Sequence, residues 1–361
     1  MKFQRELALA IRAVHAASRA TAVVQSALAP TVDAISKVDK SPVTVADFAA
    51  QAIVSMYLSR DSVAANDAII GEEEASALRS DRALGDRVVG VIASTMAGVA
   101  DADSIQRDGV HYILNISIAW HLRLRRYWTL DPVDGTKGFL RKQQYAVCLA
   151  LLEHNEVQVG VLACPNLPYA GGLGSGGVSE HSAGTLMWAV KGEGAFQTYQ
   201  TSSARIHTDS VAPDSTGATQ LPRLLESYES GHSNHAMSAS VMRALGISDV
   251  PPLRVDSQCK YAALARGDGN IYLRVLKDPE YKEKIWDHAS GSLIVTEAGG
   301  IVTDLFGDRL LFATSGTLSQ NTGILATCGP QAFHDRILDA VQHDPSFAAY
   351  AEASALARAK M

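Results

Sequence analysis

The sequence predicts a layered α/β or α+β sandwich built in two halves. Apolar runs of strand length alternate with stretches of helical periodicity, and no internal repeat or coiled-coil heptad connects them. After about residue 205 the organisation changes, as a strand-rich first part gives way to mixed strands and helices. The 361 residues, 47% of them hydrophobic, are enough to bury a sizeable core. We therefore expect an N-terminal half over 1–205, a C-terminal half over 206–345 and a tail over 346–361.

Phe3, Leu7, Ala10, Ile11, Val14 and Ala17 recur at helical spacing, which predicts an amphipathic helix over 3–28, closed by Pro30. Thr44 is the expected N-cap of a second helix that continues from Ala49 to Leu58. Ala68-Ile69-Ile70 reads as a short strand running into Gly71-Glu72-Glu73-Glu74, and Tyr127–Leu130 as a strand delivering a loop at Asp131. Ala146–Leu152 and Val157–Ala163, joined by Glu153-His154-Asn155-Glu156, read as a hairpin. Thr185–Val190 and Gly194–Phe196 follow as strands separated by a glycine turn, and the glycine- and serine-rich stretch Tyr169–His181 reads as a surface loop. Further on, Arg223–Ser227 and Ile271–Val275 suit strands. Ser238–Leu245, Tyr261–Ala265 and His288–Ala298 suit helices, the last capped by Gly299-Gly300.

A formal net charge of −6 excludes a chain that binds polyanions through its overall field, so no nucleic-acid partner is expected and any anion site must be locally basic. Four scattered cysteines (Cys148, Cys164, Cys259, Cys328) lack metal-type or redox-type spacing and read as buried structural thiols in a reducing compartment. The apolar runs around 88–100 and 111–120 are too short to span a bilayer, and the N-terminus lacks a secretory cleavage signal. Cytoplasmic residence is the expectation, with the nucleus as the alternative.

The densest chemical signal is Asp131-Pro132-Val133-Asp134-Gly135-Thr136. Two carboxylates flank a proline-stiffened turn, and such a segment can offer both of them, with the Val133 carbonyl, to a hard cation. Asp, Pro and Gly are equally the residues of a plain surface turn. Glu72 follows a short apolar strand, Asp287 opens an apolar helix, and Asp47 lies early in another. Taken singly these are a solvated acidic run, a helix cap and a carboxylate favoured by a helix dipole. All four segments together, in order, are harder to explain that way.

The segments Ser41-Pro42-Val43-Thr44…Asp47, Gly71-Glu72-Glu73, Asp131-Pro132-Val133-Asp134-Gly135-Thr136 and Trp286-Asp287…Glu297-Ala298-Gly299-Gly300 resemble the signature of the inositol monophosphatase superfamily. Further residues resemble its bisphosphate nucleotidase branch of fungi and plants: Asp134–Arg141, Gln144–Ala150, Cys164–Leu167, Asp256–Tyr261, Tyr272–Arg274 and Glu283–His288. That resemblance implies an αβαβα sandwich and hydrolysis of the 3'-phosphate of 3'-phosphoadenosine 5'-phosphate. It also implies action on the sulfated nucleotide of sulfate assimilation and, as a side activity, on inositol 1,4-bisphosphate. An inositol monophosphate or polyphosphate phosphatase and a catalytically silent nucleotide-binding protein are the alternatives. By the same resemblance Glu72, Asp131, Val133 (carbonyl), Asp134 and Asp287 would hold up to three magnesium ions, with lithium or sodium inhibitory. Asp47, paired with Thr136, would orient and deprotonate the attacking water, and Thr136, His232, Ser257, Lys260, Arg274 and Asp287 would contact the substrate of a monomeric enzyme.

From about Asp101 to Arg126 the chain departs from the pattern of those relatives, with an apolar tract, Gly109–His121, where they carry a glycine-rich, basic approach. A mis-predicted exon is one account of it, which the sequence of the transcript decides.

Overall fold

The computed structural model describes residues 2–28, 41–74, 78, 81–97, 124–169, 184–199, 202–206, 222–228, 233–278, 280–312 and 315–359. The tract from 101 to 123, most of the loop expected over 169–181, and His232 lie outside these residues.

Helix α1 (Gln4–Ser26) buries Leu9, Ala10, Ala13, Val14, Ala17 and Ala20, one face of a helical repeat. By length and composition it is apolar enough to cross a membrane, but half of that stretch is buried in the fold, as suits a core helix. Helix α2 (Ser41–Arg60) starts earlier than expected, so Thr44 lies within it rather than capping it. A proline in the first helical turn loses no hydrogen bond, and Pro42 therefore does not delay the start. Two elements follow, strand β1 (Ala68–Gly71) and helix α3 (Arg82–Thr95), whose first turn Asp81 caps by accepting from the Leu84 N–H at 3.0 Å.

Seven strands form the first sheet, in the order β1, β2 (Arg126–Asp134), β3 (Ala146–Glu153), β4 (Glu156–Pro168), β5 (Gly184–Val190), β6 (Gly194–Tyr199) and β7 (Ser202–Ile206). Only β1 and β2 pair in parallel; the others are antiparallel neighbours. The predicted β3–β4 hairpin turns through His154 and Asn155 at φ 53° and 63°, the left-handed pair that a two-residue turn with the strands' own twist requires. A short helix, α4 (Thr136–Leu140), follows β2.

A second sheet has the order β11 (Ile301–Thr303), β12 (Ile324–Thr327), β10 (Ile271–Arg274), β8 (Leu224–Glu226), β9 (Leu253–Arg254). Its helices are α5 (His235–Ala244), α6 (Cys259–Arg266), α7 (Ala289–Glu297), α8 (Gln331–Gln342) and α9 (Phe347–Ala359). Helix α7 ends in the predicted glycine cap: Gly299 sits at φ 100°, Gly300 N–H donates to Val295 O at 2.9 Å and Gly299 N–H to Thr296 O at 3.0 Å.

Alternation of side chains along the strands sorts these elements into layers. Val159, Val161 and Ala163 of β4 pack with α1 and α2. Leu162 and Cys164, facing the other way, share a cluster with Tyr261 and Leu264 of α6, Leu293 and Ile294 of α7, and Tyr272, Ile324 and Ala326 of the second sheet. Ile271, Leu273 and Leu325 on the far face of that sheet pack with Val241, Ile337 and Phe347 of α5, α8 and α9. The result is the expected αβαβα sandwich. Phe347–Ala359, within the expected tail, form α9, whose buried Ser354 hydroxyl lies 2.7 Å from that of Thr322.

All four cysteines are buried and unbridged. Burial pushes the Cys328 thiol up to about 12 and, with the Asp134 and Asp131 carboxyls adding to it, lifts Cys148 well above the ordinary range. Thiols held protonated in this way are poor nucleophiles.

Candidate active site

Parallel pairing of β1 with β2 aligns Gly71 with Leu130, so Glu72 and Asp131, each one residue further on, emerge side by side at the same sheet end. Glu72 N–H extends the ladder by donating to Leu130 O at 3.2 Å. Strand β2 does not stop at Leu130 as expected; it runs on to Asp134 with a bulge. Asp131 pairs with Cys148 and Asp134 with Ala146, so three steps on β2 match two on β3. Pro132, with no N–H to give the ladder, is a natural place for that extra residue. In a regular strand residues three apart face opposite sides, but the bulge restores parity. Both carboxylates therefore face the side on which Ala146 and Cys148 lie, toward the second sheet.

Val133 is wedged between them with its side chain among Ala46, Phe139 and Tyr145, while its N–H donates to Asp131 Oδ1 at 3.1 Å. Gly135 follows at φ 95°, and a Cβ there would approach Ser257 Cβ to 2.9 Å. Only glycine fits that bend without strain.

Asp287 ends a 3-10 turn (Ile285–Asp287) that leads into α7. The residue flanking α7 is His288, and no side chain caps the helix, so the plain capping role does not hold for Asp287. Nor is Asp47 in the first turn of α2; it is buried near Glu72 and Glu73. Gln51, one turn further along α2, clamps that loop: its Nε2 donates to Glu73 O at 2.7 Å and its Oε1 accepts from Glu73 N–H at 3.3 Å. Sequence reasoning missed Gln51, since an amide on a helix face carries no signal of its own.

The carboxyls repel one another. Burial, reinforced by Glu73 and Glu72, pushes Asp47 well above the usual carboxylate range. Burial raises Glu72 to about 7, partly offset by its hydrogen bond with Asp131. Asp131 is lifted well above its ordinary value by burial and then by Glu72, Asp134 and Asp287. Asp287 moves the same way, through burial and then Asp134, Glu283 and Glu72. Asp134 rises to about 6 because burial outweighs Lys260, the Gln258 N–H and Arg274. Although protein crowds its carboxyl, Glu72 keeps one edge on solvent, whereas Asp131 beside it is 2% exposed, so the cluster opens outward at Glu72. An oxygen-only, strongly anionic donor set of this kind fits a hard divalent cation.

Gln258 ties the parts together. Its N–H donates to Asp134 Oδ2, its Nε2 to Trp286 O at 2.6 Å, and its Oε1 accepts from Ser290 Oγ at 3.0 Å and Gly291 N–H at 2.8 Å. Gln258→Leu would remove the partner of the Trp286 carbonyl, the Ser290 hydroxyl and the Gly291 N–H while keeping the backbone bond to Asp134, and an unpaired buried group costs about 1–3 kcal/mol. We expect it to lower unfolding free energy by ~2–4 kcal/mol in urea titrations; a loss below ~0.5 kcal/mol would show that the amide is dispensable.

The other predicted residues fall as follows. Thr136 is exposed at the start of α4, and among the described residues no hydrogen bond joins it to Asp47. Ser257, at φ 66°, accepts the Cys259 N–H on its hydroxyl at 3.1 Å. Lys260 is buried, donating to Val255 O at 3.1 Å with its Nζ 5.4 Å from the centroid of the Tyr272 ring; burial lowers it to about 8 although Asp134 pulls the other way. Arg274, ending β10, is paired through two nitrogens with Glu283. Burial alone would raise Glu283, but Arg274 and His288 outweigh it and hold the carboxyl at about 2. Glu283, Asp287 and His288 offer ligand atoms within 4.8 Å of one another, a group able to hold a metal ion.

Residues 7–345 match the inositol monophosphatase family. The chain belongs to that family. Its members are metal-dependent, in keeping with the carboxylates gathered at the ends of β1 and β2. Curated relatives include a 3'(2'),5'-bisphosphate nucleotidase of Emericella nidulans, 40% identical over 354 residues that cover 95% of this chain and 99% of the relative. A 3'(2'),5'-bisphosphate nucleotidase of Oryza sativa is 40% identical over 332 residues, 90% of each chain. Among solved structures, an inositol monophosphatase from Anabaena (Nostoc) superposes with a TM-score of 0.58 at 19% identity, covering 96% of this chain and 98% of that one. At that identity the likeness speaks for the fold alone.

Proposed function

We propose that the chain is a magnesium-dependent phosphatase that hydrolyses the 3'-phosphate of 3'-phosphoadenosine 5'-phosphate to AMP and inorganic phosphate. The sulfated form of that nucleotide is a second substrate, inositol 1,4-bisphosphate a minor one, and lithium an inhibitor. The observation that carries the reading is the convergence of Glu72, Asp131 and Asp134 at one sheet end, with Asp287 close enough to perturb them. The names of relatives at 40% identity over most of the chain support the nucleotide as substrate.

Glu72, Asp131, Asp134, Asp287 and the Val133 carbonyl would hold up to three magnesium ions. Bound there, magnesium neutralises the phosphate and lowers the pKa of a bound water. The chain's own residues do the rest. Asp47, buried beside Glu72 and Glu73, accepts a proton from the attacking water, and its raised affinity for that proton suits a general base near neutral pH. Water oxygen bonds to phosphorus, the bond from phosphorus to the 3'-oxygen breaks, and that oxygen takes a proton from solvent water to leave as the ribose hydroxyl, Asp47 returning its proton to solvent. Arg274, Ser257, Thr136, His232, Lys260 and Asp287 would contact the substrate, and Lys260, buried near Asp134, also offsets part of the carboxylate field. We place the enzyme in the cytoplasm, acting as a monomer.

Substrate profiling at saturating magnesium tests the reading. Phosphate release from 3'-phosphoadenosine 5'-phosphate should exceed release from inositol monophosphate by at least ~10²-fold in kcat/KM, as expected where buried polar groups are left unpaired by the wrong substrate. A preference for the inositol ester would overturn it.

A further inference from the structure

We propose that Glu283 is a positioning residue that clamps Arg274 so that one edge of its guanidinium is held for the substrate's phosphate. The inference rests on the assignment of Arg274 to that phosphate.

Both Glu283 carboxylate oxygens are engaged by Arg274, Oε1 by Nε and Oε2 by Nη2 at 3.0 Å. A bidentate pair fixes the plane of the guanidinium, which a single contact does not. The remaining nitrogen, Nη1, donates to nothing among the described residues and is the one left for a further acceptor. The clamp is itself anchored. Glu283 O accepts the Leu318 N–H at 2.8 Å, and its Oε2 lies 3.3 Å from His288 Nε2. His288 Nδ1 is 2.9 Å from the Tyr261 hydroxyl, and the Tyr261 ring packs edge-on against Tyr272, two residues before Arg274. Buried side chains packed around Glu283 and before Arg274 therefore restrict the orientation of one arginine.

Charge makes the clamp necessary. Arg274 lies within electrostatic reach of Asp134 and Asp287. An unrestrained guanidinium there would pair with one of those carboxylates, quenching a proposed metal ligand and turning away from the substrate. Glu283 supplies a fixed alternative partner. Asp287 lies between Glu283 and His288 in sequence, so one segment carries both the clamp and a proposed ligand.

The test uses the full-length, magnesium-loaded protein with Glu283→Gln, Glu283→Asp, Arg274→Gln and the double variant Glu283→Gln/Arg274→Gln. Two readouts are taken: KM and kcat for 3'-phosphoadenosine 5'-phosphate, and the Kd of inorganic phosphate by calorimetry. E283Q should raise KM and Kd by about tenfold or more, in line with losses at residues that orient a site group, with a smaller change in kcat. The double variant should match R274Q alone, because the two residues act as one unit. E283D, which keeps the charge but loses reach, should fall between, and it supplies the readout if thermal melts show E283Q unfolded. KM and Kd within twofold of the parent, or single-variant effects that multiply in the double, would overturn the clamp. Unchanged phosphate affinity in R274Q overturns it by removing Arg274 from the phosphate. A parent that binds phosphate but does not cleave the nucleotide refutes the substrate reading alone, and the phosphate Kd still decides the clamp. A parent that binds no phosphate overturns both.

Discussion

Asp134→Asn is expected to lower magnesium-dependent phosphate release by at least ~10³-fold, about 4 kcal/mol of transition-state stabilisation, with the fold intact. The change is nearly isosteric, and an amide oxygen can still accept the Gln258 N–H that Asp134 accepts. What disappears is an anion at the meeting point of β2, α6 and the turn before α7. Lys260 and Arg274 then face one fewer carboxylate. Activity and thermal midpoint measured on the same preparation separate the effects. Loss of turnover with a midpoint within a few degrees of the parent supports Asp134 as a ligand, and turnover within tenfold of the parent rules it out.

The second large effect concerns the metal-free protein. Folding raises the carboxyls of Glu72 from 4.5 to about 7 and of Asp134 from 3.8 to about 6, and raises Asp47, Asp131 and Asp287 in the same direction. Between the unfolded and folded values the native state holds more protons than the unfolded chain, so stability falls as pH rises through that window. The buried His288 and His334 and the surface His15, whose protonation is disfavoured, work the other way below about pH 6.5. They are fewer than the five carboxyls. Without divalent ions the thermal midpoint should therefore decline from pH 5.5 to 8. Millimolar magnesium should raise it far more at pH 8 than at pH 5.5, because ligand carboxyls must lose protons to bind. A midpoint that is flat or rising over this range without metal, or an equal magnesium shift at both pH values, would refute the clustered-carboxylate account.

Much of the architecture was legible because period and turn chemistry are local. The His154-Asn155 turn, the apolar strands beside it and the Gly299-Gly300 cap all rest on residues adjacent in sequence. The bulge at Pro132 was not, since the same proline reads equally as a loop residue until the register against β3 is known. Thr44 looked like a cap because its type is right, and only the position of the helix start decides the matter. Among the site residues, carboxylates were found because they occur in compact motifs. Their supports escaped notice: Gln258 acts on partners 28 to 124 residues away, and the Glu283–Arg274 pair joins a loop to a strand end. Neither contact has a periodicity to reveal it.

The central claim is that clustered carboxylates hold magnesium to cleave a nucleotide 3'-phosphate. Its most direct test is the initial rate of phosphate release from 3'-phosphoadenosine 5'-phosphate by the purified full-length chain, with magnesium and again after chelation. The account predicts AMP and phosphate in equal amounts, rapid release with magnesium and none above background without it. No release from folded, magnesium-supplied protein, or release that chelation leaves unchanged, would contradict it.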